Sequence, residues 1–552
     1  IRTKKNYVLL DKKRMCGIAA WILANSELQK RKNELDEAAK KIQHRGPDRS
    51  ITVFSDNARL DFHRLCINGL DSDSDQPFEV GEWILICNGE IYNHKLLSER
   101  FPTKSKSDCE VIVSMLNHGL KVNEICMQLD GVFAFFAINP NKKVAVAGRD
   151  LFGIRGLYYS HEDTSFSVAS ELKCLHHAST DTIRVYPPNT WMAIDYSNME
   201  NIQMEYGLFW TPFTLDSYRP IFTNEDRALR AIRNTLRSGV KKRLMADRLP
   251  IGCFLSGGLD SSIVAALIVE NMKNPKDLYT FSIGMEGSTD LHNARIVADY
   301  LGTTHHEILV TEDDMLNALP EALKSMETFD TTTVRAGTGM WLLSKWIYNN
   351  TNVRVIFSGE GSDELSGSYL YFRNAPSLEE YHKECVRLCD DLHRYDVLRA
   401  DKATAAHGLE VRVPFLDREF TNIYLRVDSS LRSPRGDKKI EKYLLRKAFE
   451  YILPPTIVWR VKEAFSDGVS SQKKSWFQII QDHVRETIEE EELNGYESLE
   501  YLPTSIPESQ WYRHMFQTYY PGRDKIIPYY WLPKWSGDVK DPSARVLETY
   551  DS

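Results

Sequence analysis

The segment IGCFLSGGLDSS at 251–262 places glycines, hydroxyl groups and one carboxylate directly after a short apolar run. Glycines let backbone N–H groups approach a phosphate closely, and the N-terminus of a following helix adds donors and a favourable dipole. The lysine of a GxxxxGK[ST] loop is missing, and Asp260 lies inside the turn instead. We predict a phosphate-binding loop in which Asp260 binds Mg²⁺; a tight turn capped by serine and aspartate is the alternative interpretation.

The segment FSGEGSDE at 357–364 repeats this design, because it also follows an apolar run and carries acidic residues. Loops at the carboxyl ends of parallel strands meet in one crevice. We therefore expect the two loops to converge, and we expect Asp260 and Asp363 to share a metal ion. The second loop favours phosphate binding over the simple capped turn.

A third group of polar motifs lies in the first 160 residues. A cysteine thiolate can attack an amide and release ammonia, while an asparagine side chain or a glycine N–H stabilises the oxyanion. Taken singly, a cysteine is usually a small core residue and an NGE segment is usually a turn. The motifs are MCGI at 15–18, HRGPD at 44–48, HRL at 63–65, NGEIYN at 88–93, SDCE at 107–110 and GRDLFGIRGLYY at 148–159.

Two patterns of secondary structure must position these motifs. Up to about residue 205 the chain shows short alternating or aromatic-rich runs with helical periodicity mainly at 31–43 and 107–128, which predicts an α+β domain dominated by layered sheets. Later, apolar runs alternate with helical segments, which predicts an α/β domain with a parallel sheet. We expect a leader or tag with an initiator Met at 1–15, domains at 16–207 and 223–545, and a linker at 208–222.

Composition and charge indicate which partners and which compartment are expected. The 552 residues carry a net charge of −8 and show no basic stripe, so a nucleic-acid partner is not expected. The longest apolar run, VFAFFAI at 132–138, is far shorter than a membrane span, so no membrane association is expected. Nine cysteines form an odd, scattered set without a CxxC pair, which indicates a reducing compartment, and we expect the cytoplasm.

The second half of the chain resembles a known family. SGGLDSS is similar to the pyrophosphate loop of ATP pyrophosphatases, which cut ATP between the α and β phosphates. The combined set resembles the glutamine-hydrolysing asparagine synthetases, and the resemblance extends from Met15 to DPSAR at 541–545. The motifs that complete it are SGEGSDE, ETFDTTTVRA at 327–336, AAHGLEVRVPFLD at 405–417 and WRVKEAFSDG at 459–468.

This resemblance implies roles for residues of the second domain. Glu360 would be the general base for ammonia attack, and Lys462 would neutralise charge on the α-phosphate. Thr333 and Arg335 would lie in the aspartate pocket, and Asp260 and Asp363 would hold Mg²⁺. The implied ATP contacts are Leu255, Ser256, Gly257, Gly258, Asp260, Ser261, Ser262, Ile283, Ser358 and Gly359.

The first domain resembles the N-terminal-nucleophile glutaminases through the order of its motifs. The resemblance implies that Cys16 is the nucleophile and that its own α-amine is the base, which requires Cys16 to be the first residue of the mature chain. Residues 1–14 then read as a leader, a tag or a misplaced gene start, with Met15 removed. The remaining implied contacts are the oxyanion donors Asn88 and Gly89 and the glutamine-binding residues Arg64, Leu65, Cys66, Ile67, Asn68, Glu90 and Asp108.

The expected reaction is the ATP-dependent amidation of aspartate with ammonia from glutamine, through β-aspartyl-AMP, by a homodimer. A synthetase that amidates another carboxylate and a catalytically silent regulatory relative are the alternatives. Phosphoribosyl and sugar-phosphate amidotransferases share only the glutaminase half. Four positions depart from the family pattern, and they are Leu151, Gly156, Ser368 and Val461.

Overall fold

The computed structural model describes residues 16–46, 48–210, 219–435, 440–462, 468–470, 474–489, 493 and 495–543. Residues 1–14, Met15, most of the expected linker and residues 463–467 of the WRVKEAFSDG motif lie outside the described residues. The chain forms two compact units. The first contains the described residues up to 210 together with 245–248 and 405–410, and the second contains the others.

The first unit contains two six-stranded sheets, in the orders β10-β8-β9-β1-β3-β2 and β12-β11-β7-β6-β5-β4. The strand pairings are antiparallel, as in β1 with β3 and β5 with β6. The strands are β1 Gly17–Ile22, β2 Arg49–Ser55, β3 Ala58–Arg64, β4 Phe78–Val80, β5 Trp83–Ile91, β6 Gly131–Asn139, β7 Val144–Arg149, β8 Tyr158–Glu162, β9 Ser165–Ala169, β10 Ile183–Val185, β11 Thr190–Asp195 and β12 Gln203–Leu208.

Alternation along these strands explains the layering. Ile18, Ala20 and Ile22 of β1 share one hydrophobic cluster with Ile84 and Ile86 of β5, so inward-facing side chains of the two sheets pack together. The other face of the second sheet packs on α4 and α5. The helices of this unit are α1 Asn25–Lys30, α2 Lys32–Lys40, α3 His94–Ser98, α4 Glu110–Asn117 and α5 Val122–Gln128.

The second unit is built on a five-stranded sheet in the order β15-β14-β13-β16-β17. Strand β13 pairs in parallel with β14 and β16, and β14 pairs in parallel with β15. Because parallel strands need long crossover connections, helices separate them along the chain. The strands are β13 Ile251–Phe254, β14 Leu278–Gly284, β15 Thr304–Leu309, β16 Val355–Phe357 and β17 Glu410–Arg412.

Helices α7, α8 and α10 pack against this sheet. The described helices after residue 219 are α6 Glu225–Lys242, α7 Leu259–Val269, α8 Thr289–Leu301, α9 Glu312–Met326, α10 Thr331–Asn350, α11 Ser362–Ser366, α12 Leu378–Asp391, α13 Asp396–Ala405, α14 Arg418–Leu425, α15 Ser429–Arg432, α16 Tyr443–Phe449, α17 Pro455–Val458, α18 Trp476–Thr487 and α19 Pro507–Tyr519. The predicted fold classes are confirmed: layered antiparallel sheets with helices come first, and a parallel α/β sheet follows.

Candidate functional site

Cys16 lies directly before strand β1 of the first unit. Strand β1 pairs with β3 so that Gly17 is opposite His63, and this register brings Cys16 beside Leu65. The Leu65 N–H donates a hydrogen bond of 3.3 Å to Cys16 Sγ. Burial raises the pKa of the Cys16 thiol. The thiol is therefore neutral at rest, and a base must remove its proton before it can attack.

A buried ion pair holds the backbone of the nucleophile. Arg45 Nε donates to the Cys16 carbonyl at 3.1 Å, and Arg45 forms an ion pair of 2.8 Å with Glu171. Both charged side chains are almost completely excluded from solvent. Arg45 belongs to the HRGPD motif, but the spacing of that motif alone gave no role for its side chain.

Strand β5 carries Asn88, Gly89 and Glu90 at consecutive positions. Since side chains alternate along a strand, Asn88 and Glu90 point to the same face. The buried Asn88 Nδ2 has no hydrogen-bond partner among the described residues, as expected of a donor that waits for a ligand. Gly89 is required by packing, because a Cβ there would lie 2.4 Å from the Val132 carbonyl oxygen.

Arg64 and Asp108 are the predicted clamps for the two ends of glutamine. The Arg64 guanidinium already forms an ion pair with Asp75 and donates to the Asp71 carbonyl at 2.8 Å. Asp108 accepts a 2.7 Å hydrogen bond from the Ile91 N–H, and burial raises the pKa of its carboxyl. A ligand carboxylate at Arg64 must therefore share the guanidinium with Asp75.

The other predicted glutamine contacts follow β3 as one continuous loop. Cys66 N–H donates to Asp48 at 2.8 Å, Ile67 is buried, and Asn68 donates its side-chain amide to Glu90. This last bond joins the loop to the face of β5 that carries Asn88. The structure thus gathers the predicted glutamine residues at the ends of two strands and the loop between Arg64 and Asn68.

In the second unit the two glycine loops converge, as predicted. Gly359 lies against the start of α7, where an added Cβ would be only 2.9 Å from Asp260 Cβ. Ser362 Oγ of the second loop donates to Asp260 at 2.7 Å. Gly257 has a φ of +68°, and a Cβ there would lie 2.3 Å from the Asn293 carbonyl carbon, so this turn requires glycine.

A cavity opens between the loops, and most of the predicted ATP residues line it. Two do not: Ser262 Oγ donates to the Gly258 carbonyl at 2.6 Å, and the Gly257 carbonyl accepts from Arg460 at 3.0 Å, so both lie behind the lining. The predicted residues that line the cavity are Leu255, Ser256, Gly258, Asp260, Ser261, Ile283, Ser358, Gly359, Glu360, Asp363 and Lys462.

The two predicted metal ligands contact lysines. Lys442 Nζ forms ion pairs with Asp260 and, at 2.6 Å, with Asp363. Lys462 Nζ lies 3.0 Å from Asp363 and 4.7 Å from the centre of the Tyr369 ring. Although burial acts in the opposite direction, the ammonium groups of Lys442 and Lys462 lower the pKa of Asp363, which therefore stays ionised.

Glu360, the predicted base, faces the same cavity. Burial raises its pKa to about 7, partly opposed by the Arg399 guanidinium, which lies 2.8 Å away, and assisted by the carboxylate of Asp396. Arg399 also forms a 2.7 Å ion pair with Asp396. A carboxyl group that titrates near neutral pH suits general base catalysis.

Thr333 and Arg335, the residues predicted to contact aspartate, do not line this cavity. Arg335 is 3% exposed, and it forms ion pairs with Glu508 at 2.5 Å and Asp541 at 2.8 Å. Thr333 is fully buried and donates its hydroxyl to Asp330 at 2.7 Å. Both side chains stabilise the fold around α10 rather than the cavity wall.

Helix α10 presents a different face to the cavity, formed by Thr332, Ala336, Met340 and Leu343. These positions follow helical spacing, whereas Thr333 and Arg335 lie on another side of the same helix. The Thr332 hydroxyl is buried without a hydrogen-bond partner among the described residues. Helical periodicity applied to residues 331–343 could have identified this face.

Sequence reasoning also missed several charged residues of the cavity wall. Arg399 and Asp396 lie one turn apart on α13, and Glu364 follows Asp363 on α11. Burial, followed by the negative charges of Asp396 and Asp363, raises the pKa of Glu364 well above its usual value. Arg399 and Asp396 belong to no motif of the sequence, whereas Glu364 ends the acidic segment FSGEGSDE.

Two of the departures from the family pattern lie at this site. Ser368 Oγ donates a hydrogen bond to Asp363. The serine therefore adds a donor to a carboxylate that already contacts Lys442 and Lys462. Val461 is 75% exposed and lines the cavity beside Lys462. Leu151 and Gly156 belong to the first unit and do not line this cavity.

Comparison with known proteins identifies both parts of the chain. The glutamine amidotransferase domain model matches residues 15–204, and the asparagine synthase model matches 231–384 and 374–531. With the cysteine site on layered sheets and the two-loop cavity on a parallel sheet, these matches define a glutamine amidotransferase joined to a synthetase.

The chain is 42% identical to the glutamine-hydrolysing asparagine synthetase of Mus musculus over 98% of its length and 99% of that protein. It is 42% identical to the Rattus norvegicus protein and 41% identical to the Homo sapiens protein, with the same coverage. The chain belongs to the glutamine-hydrolysing asparagine synthetase family.

Proposed function

We propose that the protein makes L-asparagine from L-aspartate, ATP and L-glutamine, and releases AMP, pyrophosphate and glutamate. The observation that carries the proposal is the convergence of Asp260, Asp363, Lys462 and Glu360 on one cavity between two glycine loops. The names of the relatives and the matched domains support the same reaction. The first unit supplies ammonia, and the second activates and amidates the acid.

Ammonia release begins with the Cys16 thiol, which loses its proton and attacks the side-chain amide carbon of glutamine. The oxyanion accepts hydrogen bonds from Asn88 Nδ2 and the Gly89 N–H, and ammonia leaves as the thioester forms. Because burial raises the pKa of the thiol, a nearby base is essential. A free α-amine at Cys16, with an ordinary pKa of about 7.7–8.0, would serve, and it exists only if Cys16 begins the mature chain.

Activation takes place in the second unit. A carboxylate oxygen of aspartate attacks the α-phosphorus of ATP, and the bond to the bridging oxygen breaks to release pyrophosphate. Lys462 neutralises charge that develops on the phosphate oxygens. Helix α7 begins at Leu259, inside the first glycine loop, so the N–H groups of its first turn can donate to the phosphates.

Mg²⁺ is the cofactor that this cavity would need. Asp260 and Asp363 supply hard oxygen donors, and Mg²⁺ commonly binds through one or two carboxylates together with substrate phosphates. The residues therefore fit the ion in donor type, although both carboxylates contact lysines in this structure. When bound, Mg²⁺ would neutralise phosphate charge and align the pyrophosphate.

In the last step ammonia attacks the carbonyl carbon of β-aspartyl-AMP, and AMP leaves with the electrons of the broken C–O bond. Glu360 accepts the proton that the attacking nitrogen loses. Its raised pKa, about 7, makes it a stronger base than an ordinary glutamate. Arg399 holds the Glu360 carboxylate through the 2.8 Å ion pair.

Thr332, Asp396 and Arg399 line the cavity, and we propose them as contacts of aspartate in preference to Thr333 and Arg335. Arg399 can pair with a carboxylate, Asp396 with an ammonium group, and the partnerless Thr332 hydroxyl with either. Together they offer the donors and acceptors that an α-amino acid requires.

Localisation and assembly complete the proposal. The family resemblance supports a homodimer. The nine cysteines are all free thiols, which supports a reducing compartment such as the cytoplasm. Within the described residues, no helix has the length and apolar character that crossing a membrane demands. Sedimentation of the purified protein will test the dimer.

The decisive experiment is a product analysis with labelled substrates. Aspartate, ATP, Mg²⁺ and glutamine should yield asparagine, AMP and pyrophosphate in equal amounts. ADP and phosphate would contradict adenylation, and amidation of a different acid in a substrate screen would contradict the choice of aspartate. Intact-mass analysis of the active protein will show whether it begins at residue 1 or at Cys16.

A further inference from the structure

Lys442 is a buried cation for which no motif of the sequence gives a role. It immediately precedes helix α16, with its side chain only 2% exposed. Its φ is +59°, a left-handed conformation that is uncommon for a residue with a side chain. Such backbone strain is concentrated at functional sites, where the surrounding structure maintains it.

The Lys442 ammonium lies between the two glycine loops. It forms ion pairs with Asp260 of the first loop and Asp363 of the second. The ammonium therefore occupies the position where a metal ion shared by the two aspartates would bind.

The four groups in direct contact carry equal numbers of opposite charges. Asp260 and Asp363 contribute two negative charges, and Lys442 and Lys462 contribute two positive charges. A divalent cation that arrived alone would compete with an ammonium that is already in place. A nucleotide that brings its own negative charge changes this balance, because its phosphates give the lysines new partners.

We propose that Lys442 is a phosphate-binding residue. In the free protein its ammonium lies between Asp260 and Asp363, at the position that the metal ion would take. When Mg–ATP binds, the ammonium moves to the β- and γ-phosphates. The inference rests on the proposed ATP-dependent function. It predicts that metal binding at the two aspartates requires nucleotide, because only then does Lys442 leave them.

The first test uses Mn²⁺ alone, followed by its EPR signal during titration of the protein. Without nucleotide, the wild-type protein should bind no Mn²⁺ at this site, whereas Lys442→Met should bind one ion. The double variant Lys442→Met with Asp363→Asn should lose that ion. Lys447→Met is the matched control, because Lys447 lies on the same helix, is 40% exposed and pairs with Glu450.

Wild-type protein that binds Mn²⁺ without nucleotide, in a manner abolished by Asp363→Asn, would overturn the proposal. This outcome does not depend on whether a Lys442 variant folds. Lys442→Gln keeps much of the side chain without its charge, and it replaces Lys442→Met if the latter is unstable in a thermal melt. Failure of both variants to gain an Mn²⁺ site would also overturn the proposal.

The second test compares ATP with AMP by calorimetry. Lys442→Met should weaken Mg–ATP binding about 10- to 100-fold, as expected for the loss of a charge-assisted contact, and should leave AMP binding within about twofold. Equal loss for ATP and AMP would refute the β- and γ-phosphate contact. If wild-type protein binds neither nucleotide, the proposed function is what has failed; the Mn²⁺ result is read separately.

Discussion

The glutamine site and the ATP cavity differ in the charge state of their reactive groups. At the glutamine site the nucleophile is a neutral thiol, held by the Leu65 N–H and, through its backbone, by the Arg45–Glu171 pair. In the ATP cavity, ionised carboxylates and ammonium groups contact each other directly. Substrate can enter the first site without breaking the ion pair that positions Cys16, whereas ATP must take partners away from groups of the second.

This difference has a consequence for how mutations act. Cys16→Ala removes the sulfur atom and its hydrogen bond with the Leu65 N–H, but leaves the Arg45–Glu171 ion pair in place. A change in the ATP cavity leaves a buried partner without its counter-charge, which is costly in a low-dielectric interior. Stability and activity should therefore separate at Cys16 and be coupled at the charged residues of the ATP cavity.

The largest expected effect comes from Cys16→Ala. It should lower glutamine hydrolysis more than about 1,000-fold, because the nucleophile is absent, and leave synthesis from ammonium salts intact. Glutamate release and asparagine formation are the two measurements. Cys126→Ala, a buried cysteine of the same unit, is the control and should retain glutamine hydrolysis. Loss of ammonium-dependent synthesis in Cys16→Ala would show that the two activities are not separable.

Glu360→Gln should lower synthesis from either nitrogen source by about 100- to 10,000-fold, the range expected when a general base is removed. Aspartate-dependent exchange of pyrophosphate into ATP should persist, since no base is needed to form the adenylate. Isotope exchange and asparagine formation measure the two steps. Equal loss of both would assign Glu360 to binding rather than to proton transfer.

Arg335→Met distinguishes a structural role of Arg335 from the predicted contact with aspartate. Loss of this guanidinium leaves the Glu508 carboxylate buried without its counter-charge, and we expect the unfolding free energy to fall by about 3–5 kcal/mol. Thermal or urea denaturation measures the change. Arg485→Met is the matched control, because Arg485 is 59% exposed and its ion pair with Asp482 should contribute little. A stable Arg335→Met protein with a selectively raised KM for aspartate would restore the original prediction.

Thr332→Val should leave stability unchanged and raise KM for aspartate, and its effect should be smaller than that of Arg335→Met. Its hydroxyl has no hydrogen-bond partner among the described residues, so its loss should leave the melting temperature unchanged. If the hydroxyl binds aspartate, KM for aspartate should rise about tenfold, the equivalent of one lost hydrogen bond. Thr333→Val is the neighbouring control: it breaks the Thr333–Asp330 bond and should lower stability rather than raise KM.

Motifs on strands and motifs on helices differ in how much a linear sequence specifies about their side chains. In β5, Asn88 and Glu90 belong to one short motif and reach the same face because side chains alternate. In α10, the motif named Thr333 and Arg335, but the cavity face contains Thr332 and Ala336. A motif read as a linear string does not state which side of a helix faces a ligand.

Lys442 shows a second limit of sequence reasoning. The two glycine loops were predicted to converge because both follow parallel strands, and Asp260 and Asp363 do lie near each other. Lys442 reaches them from α16, which lies far along the chain from both loops and carries no recognisable motif. Long-range ion pairs depend on tertiary packing, so a single sequence could not reveal this one.

The smallest expected effect is a shift of a pH profile. With its pKa at about 7, Glu360 should lose its proton as the pH rises through neutrality, so ammonium-dependent synthesis should increase from pH 6 to 8. The rate must be expressed per free ammonia, because the ammonium ion itself titrates at higher pH. Pyrophosphate exchange, which needs no base, should stay flat over the same range.

Arg399→Met sharpens this test, because the Arg399 guanidinium opposes the effect of burial on the Glu360 pKa. With aspartate saturating, so that a lost substrate contact does not limit the rate, removing it should move the midpoint to higher pH and lower the rate at pH 7, with a smaller loss at pH 9. A structural role for Arg399 would lower the rate equally at every pH. A wild-type midpoint near 4.5, the ordinary glutamate value, would mean that solvent reaches Glu360 during turnover, and the contrast between the internally paired charges of the ATP cavity and the neutral nucleophile of the glutamine site would no longer hold.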